Sequence, residues 1–184
     1  MSSFKPFHKE KYYVSGEVFE KHFYASKEVK FYKNNKELNL TKWNEEINRH
    51  FSQSLKEKNP NKLIQHIDAV RYKKLVQLIQ PSKRDKIADI GSDTGKLALM
   101  IADKTNELTC VDIDKNLLEN IKSKTNSPKV KFLHANLENT QIADNLFDTT
   151  IASEILEHLP NPDAGYKELL RITKPKGKIV ISVP

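Results

Sequence analysis

Between Lys86 and Gly95 the chain reads K-I-A-D-I-G-S-D-T-G. Ile87, Ala88 and Ile90 form an apolar run that stops at Gly91-Ser92-Asp93-Thr94-Gly95, and Leu97, Leu99, Met100 and Ile101 return at helical spacing. The pattern predicts strand, tight loop and helix. In an open α/β sheet such a loop lies at the carboxyl end of a strand, where the next helix presents unpaired N–H groups to a ligand. Asp89 adds a fixed carboxylate, which suits a cationic or hydroxyl-bearing ligand and suits a phosphate poorly. The loop lacks the Gly-Lys-Ser/Thr ending of nucleoside triphosphate sites. It also lacks G-x-G-x-x-G, because Asp93 and Lys96 stand where the second and third glycines belong.

Downstream, apolar runs alternate with helical patterns. Strands are expected at Glu107–Val111, Val130–His134, Phe147–Ala152 and Lys178–Val183, with helices over Asn116–Lys122 and Ala164–Ile172. That alternation predicts a parallel, doubly wound sheet. Upstream, Leu63, Ile67, Val70, Leu75, Leu78 and Ile79 trace a helix ending at Pro81. Asp112 falls about twenty residues past Gly91 at a strand end, where an acid can grip both ribose hydroxyls of an adenosine cofactor.

The Lys86–Gly95 loop, with its acid two residues before Gly91 and a glycine at 95, resembles motif I of the class I S-adenosylmethionine-dependent methyltransferases. Its I-A-D-I-G-S-D opening is also similar to that of a bacterial tRNA adenine-N1 methyltransferase family. The run from Phe147 to Pro184 closely resembles the fourth and fifth strands of the type 11 group, although Lys176 stands in a turn where that group has Pro-Gly-Gly.

The resemblance implies a Rossmann-like methyltransferase fold that binds S-adenosyl-L-methionine. Asp89, Gly91, Ser92, Asp93 and Gly95 would line the cofactor, with Asp112 and Ile113 at the ribose and Asn136 and Leu137 at the adenine. Asn136 reads equally as a turn residue, and Asp114 as a helix N-cap. Ser153 and Glu154 would border the sulfonium end. Glu157 and His158 would face the substrate as candidate catalytic residues, His158 as general base, or would simply cap and orient their loop. The same fold usually continues with two further strands, so the last apolar strand is expected to lack its neighbour. Either the chain is a fragment, or that edge is covered by the N-terminal segment or by a second subunit.

Charge divides the chain differently. Residues 1–80 carry 16 Lys and Arg against 9 Asp and Glu, whereas residues 81–184 carry 15 of each. The first segment also holds 12 of the 15 aromatic residues. Asn34-Asn35 is a hairpin signal there, and Trp43, Ile47, Phe51 and Leu55 lie on one helix face. Arg71 and Tyr72 are near enough to the sheet in sequence to reach a pocket mouth.

We therefore expect residues 1–58 to form a basic, helical and aromatic N-terminal lid or extension, and residues 59–184 the cofactor-binding domain. The expected acceptor is a small molecule. RNA is compatible with the basic segment, and a non-catalytic scaffold or truncated domain is a third reading. No Asn-Pro-Pro-Tyr follows the fourth strand, Cys110 reads as core, and the histidines have no metal-ligand spacing. One cysteine, no secretory signal and no membrane-length apolar run lead to an expected cytoplasmic setting.

Overall fold

The computed structural model describes residues 6, 8–14, 16–24, 29–43, 46 and 62–183. The chain divides into two compact units, Met1–Lys62 and Leu63–Pro184.

In the first unit, β1 (His8–Val14), β2 (Glu17–Phe23), β3 (Val29–Lys33) and β4 (Lys36–Leu38) form an antiparallel sheet in that order. The expected helical character thus gives way to a meander. Asn34 and Asn35 have φ of 48° and 65° and join β3 to β4, the paired left-handed conformation of a two-residue hairpin. Residues 40–43 and Glu46 are helical, and Trp43 is buried on Phe31 with ring centroids 5.1 Å apart. Ile47, Phe51 and Leu55 of the expected helix lie outside the described residues.

The second unit opens with α1 (Lys62–Ile79) and continues as β5 (Lys86–Ile90), α2 (Lys96–Ile101), β6 (Glu107–Asp112), α3 (Lys115–Ser123), β7 (Val130–His134), β8 (Phe147–Ser153), α4 (Pro162–Ile172) and β9 (Thr173–Ser182). All five strands are parallel, in the order β7-β6-β5-β8-β9. The central strands read as continuous apolar runs because both faces are covered. Ile87, Leu108, Cys110 and Ile151 pack with Leu75 and Ile79 of α1, Leu97 and Ile101 of α2 and Ile121 of α3. Ala88, Ile90, Val111 and Ala152 pack with Leu169 and Ile172 of α4.

Local chemistry sets the boundaries. Gln80, at φ 50°, closes α1 in the left-handed conformation just before Pro81, and Lys178 Nζ donates to the carbonyls of Leu78 and Ile79 at 3.0 Å each. Val70 and Leu78, two of the apolar residues that trace α1 in the sequence, are exposed on it. Asp114 caps α3 by accepting from Asn116 N at 2.8 Å, and Asn161 caps α4 ahead of Pro162.

β9 begins at Thr173, five residues before the strand start expected at Lys178. Thr173 pairs with Phe147 and Lys178 with Thr149, so Lys174–Gly177 bulges out of the ladder. Lys176 takes φ 64° in that bulge. The position that departs from the Pro-Gly-Gly pattern therefore has the backbone that glycine adopts most readily.

Candidate functional site

The loop after β5 turns back on the end of β6. Gly91 N and Ser92 N both donate to Val111 O, at 2.8 and 3.1 Å, and Ser92 Oγ donates to Asp89 O at 2.7 Å. Gly95 N closes the turn on Ser92 O at 2.8 Å. Gly91, Asp93 and Gly95 have φ of 74°, 45° and 76°. A Cβ on Gly95 would stand 2.7 Å from Ile121 Cγ1, so the loop rests on α3 only because that side chain is absent.

Asp112 ends β6 beside this loop and is buried. Its Oδ2 accepts from Asp93 N at 3.0 Å and its Oδ1 from Asp114 N at 2.9 Å, which fixes the carboxylate in one orientation. Burial pushes its pKa up to about 6 despite those two donors. Asp89 is only 3% exposed, and burial together with the nearby Asp112 and Asp93 carboxylates lifts it to about 7. Three acids thus converge on one loop, two of them desolvated.

A second constellation sits where β8 and β9 end. Glu154 has φ 54°, and its N–H donates to Ser182 O at 2.9 Å. Ser182 Oγ donates to Glu154 Oε1 at 2.9 Å and lies 2.9 Å from Ser153 Oγ. Because each hydroxyl has one proton, Ser153 donates to Ser182 and Ser182 to the carboxylate.

From α1, Arg71 Nη1 approaches Glu154 Oε2 at 3.8 Å while Arg71 Nη2 approaches Asp68 at 3.3 Å. Arg71 and Lys96 both lie over the Tyr72 ring, 5.0 and 4.7 Å from its centroid. Burial raises the Tyr72 pKa. The sequence placed Arg71 and Tyr72 near a pocket mouth through their proximity to the sheet alone. Ser182 carried no signal.

The remaining candidates are placed differently. Asn136 is turned into its own bend, its Oδ1 accepting from Glu138 N at 3.0 Å, which matches the turn reading of that residue. The Leu137 side chain is buried in the α4-side core. Ile113 O is 2.9 Å from His134 Nε2. Glu157 and His158 are exposed on the short turn Leu156–His158. Cys110 is buried inside β6 with its thiol pushed up to about 12, which leaves it protonated and inert at neutral pH. Among the described residues no group of three or more His, Cys, Asp or Glu side chains is placed to hold a metal.

Chemically, the loop offers bare backbone for close approach, Asp112 offers two fixed acceptors to hydroxyl donors, and Arg71 offers a cation at the same ends of the strands.

Comparison with known proteins gives this arrangement a context. A methyltransferase-domain family model matches residues 88–181, more than half of the chain. The ubiquinone/menaquinone biosynthesis C-methyltransferase UbiE of Rickettsia prowazekii is 31% identical over 110 residues, covering 54% of this chain and 44% of its own. The malonyl-[acyl-carrier protein] O-methyltransferase of Buchnera aphidicola is 35% identical over 96 residues, covering 52% and 38%. The chain therefore spans less than half the length of these curated relatives.

Among solved structures, the N-methyltransferase NodS of Bradyrhizobium japonicum, in complex with S-adenosyl-L-homocysteine, aligns with a TM-score of 0.59 at 18% identity, covering 68% of this chain and 63% of its own. The [4+2]-cyclase SpnF aligns at 0.56 and 22% identity, covering 60% and 43%. These likenesses show a shared fold.

Proposed function

The chain belongs to the methyltransferase-domain family matched over residues 88–181, and on that premise we propose that it transfers a methyl group from S-adenosylmethionine to a small organic acceptor. The observation that carries this reading is Asp112, a buried carboxylate held by the N–H groups of Asp93 and Asp114 beside two glycines with positive φ. A preoriented double acceptor next to bare backbone fits the vicinal hydroxyls of a ribose. The residues present therefore fit the cofactor.

Asp112 would hold the ribose, with Ile113 beside it. Gly91, Ser92, Asp93 and Gly95 would let the cofactor lie against backbone, and Asn136 and Leu137 would border the adenine. Asp89 and Arg71 would take the ammonium and carboxylate of the amino-acid tail, and Ser153 and Glu154 would border the sulfonium. When bound, the cofactor supplies a methyl group already activated by the positive sulfur. The protein is left to align an in-line nucleophile and exclude water.

His158 would accept a proton where the acceptor must lose one, with Glu157 orienting it. The acceptor class rests on the quinone and acyl-carrier names of the relatives. Residues 1–58 would act as the segment that selects it. Among the described residues no helix is long and apolar enough to cross a membrane, and a reduced cytoplasmic setting fits the single buried thiol.

Calorimetric titration with S-adenosylmethionine and S-adenosylhomocysteine, with NAD as control, tests the reading. Saturable binding of both and none of NAD supports it, and Asp112→Asn should then weaken both. No binding by a folded chain would sink it in favour of a scaffold that uses the fold without the cofactor.

A further inference from the structure

The antiparallel sheet of the first unit presents two unlike faces. Alternation along the strands and the pairing of Lys11 with Glu20, Glu20 with Tyr32 and His22 with Lys30 place Lys9, Lys11, Tyr13, Glu20, His22, Lys30 and Tyr32 on one side. Phe31 belongs to the other, where Trp43, Val29, Leu38 and Leu40 pack on it. The first side is polar and aromatic, and it is exposed along β1 at Lys9, Lys11 and Tyr13. Tyr13 is 76% exposed, and the Lys11 side chain is 50% exposed.

Its chemistry is ordered. Glu20 is buried, and its carboxylate lies 2.7 Å from Lys11 Nζ and 2.6 Å from His22 Nε2, so the anion is internally compensated. Lys11 holds its pKa below the usual carboxylate value. The His22 ring lies against Tyr32 with centroids 4.3 Å apart and planes tilted by 34°, and Lys30 Nζ lies 5.9 Å from the centroid of Tyr24. The second acid, Glu37, stands at the β4 edge beside Tyr32 and Lys30. Lys9, His22 and Lys30 form one row across β1, β2 and β3, Tyr13 and Tyr32 lie on the same side, and the unit Met1–Lys62 carries 13 Lys and Arg against 8 Asp and Glu.

Lys9 and Lys11, two residues apart on one strand, are spaced by about 6.8 Å, a separation that an extended phosphodiester backbone can follow. We propose that this face binds single-stranded RNA, with lysines on the phosphates and Tyr13 as an exposed stacking platform. A duplex hides its base faces and gives the tyrosine nothing to stack on. The residues of this face lie in the first unit, and those proposed for the cofactor in the second.

The test is fluorescence anisotropy of the full chain with a labelled 15-nucleotide uridine strand, a 15-base-pair duplex and anionic phosphatidylserine vesicles, at several salt concentrations. The single strand should bind better than the duplex. The slope of log affinity against log salt should fall by about 0.7 in Lys9→Ala, and Lys11→Ala, which also strips the buried Glu20 of its cation, should weaken binding by more. Tyr13→Ala should weaken binding roughly 5- to 100-fold while Tyr13→Phe retains it, since the ring and not the hydroxyl stacks.

Equal affinity for duplex and single strand, or indifference to Tyr13→Ala, would overturn the proposal. Vesicle binding that depends on the same residues without binding of the strand would assign the face to a lipid surface instead. Titration of each variant with S-adenosylhomocysteine reads the second unit separately.

Discussion

Asp93 N donates a 3.0 Å hydrogen bond to Asp112 Oδ2, tying the loop after β5 to the acid at the end of β6. Asp93 makes this bond from the left-handed region, at φ 45°. A glycine would make the same bond without a Cβ and without a third negative charge near Asp89 and Asp112. We therefore predict that Asp93→Gly raises affinity for S-adenosylhomocysteine and stabilises the fold. Relief of the left-handed conformation contributes about 1 kcal/mol, partly offset by the greater freedom of the unfolded chain. Calorimetry and thermal melts check both effects, and a loss of affinity would instead give the Asp93 side chain a role in binding.

Affinity should also depend on pH through Asp112. Its carboxylate accepts hydrogen bonds only fully when ionised, and its pKa in the ligand-free protein is raised to about 6. We expect binding of S-adenosylhomocysteine to be strongest above pH 7 and to weaken as pH falls through 6. Asp112→Asn should cost about 1.5–3 kcal/mol at pH 8, the worth of a hydrogen bond to a charged group, and should make the profile shallower, leaving the dependence that Asp89 contributes near pH 7. A titration series from pH 5 to 8 on both proteins separates this from a general loss of folding. A sloped profile that persists unchanged in Asp112→Asn would move the titrating group elsewhere.

Much of the second unit was legible because burial on both sheet faces writes itself as continuous apolar strands, as in Ile87–Ile90 and Leu108–Val111. β9 was legible only in its second half, since Lys174–Gly177 reads as a turn and the structure lets it bulge beside a strand that has already begun at Thr173. The N-terminal meander was hidden for a different reason. Phe31 and Trp43 are its buried hydrophobic residues among those described, so β1 and β2 carry no clean apolar alternation, and only Asn34-Asn35 announced a turn.

The site divides the same way. Asp112 and the glycines follow from spacing along the chain. The approach of Arg71 to Glu154 and the hydrogen bond from Ser182 to Glu154 join residues far apart in sequence, which periodicity cannot reveal.

Asp89 gives a prediction on stability. Its folded pKa of about 7 stands above the ordinary 3.8, so the folded state holds a proton that the unfolded chain releases. The sign follows from linkage: this group destabilises the fold progressively as pH rises from about 4 to 7, by on the order of 4 kcal/mol once fully ionised. Asp89→Asn should therefore raise the melting temperature of the ligand-free protein at pH 8 and leave it little changed at pH 4. The same variant should bind S-adenosylhomocysteine more weakly if the carboxylate meets a cationic group. Melts of the two proteins at both pH values decide the first point, and an equal shift at pH 4 and pH 8 would show that packing, not ionisation, is responsible.

Glu168 works in the opposite direction and tests the other face of the sheet. It is buried on α4, accepts from Arg171 Nε and Nη2 at 2.8 and 2.7 Å, and takes both the N–H and the hydroxyl of Thr140. Those donors hold its pKa down at about 2 against an ordinary 4.5. Its contribution is therefore complete above about pH 4.5 and is lost as pH falls toward 2, with a size on the order of 3 kcal/mol. Thr140 anchors the segment between β7 and β8 through this one side chain, so the loss should be felt as cooperative unfolding and not as local fraying. Glu168→Gln keeps the shape and removes the charge. In urea melts it should be less stable than the parent by about 2–3 kcal/mol at pH 7, a buried charge-assisted network reduced to neutral bonds. The gap should narrow at pH 3, where the unfolded parent holds the proton that the folded parent has only begun to take up. A gap of the same size at both pH values would mean that Arg171 and Thr140 hold the loop by geometry alone.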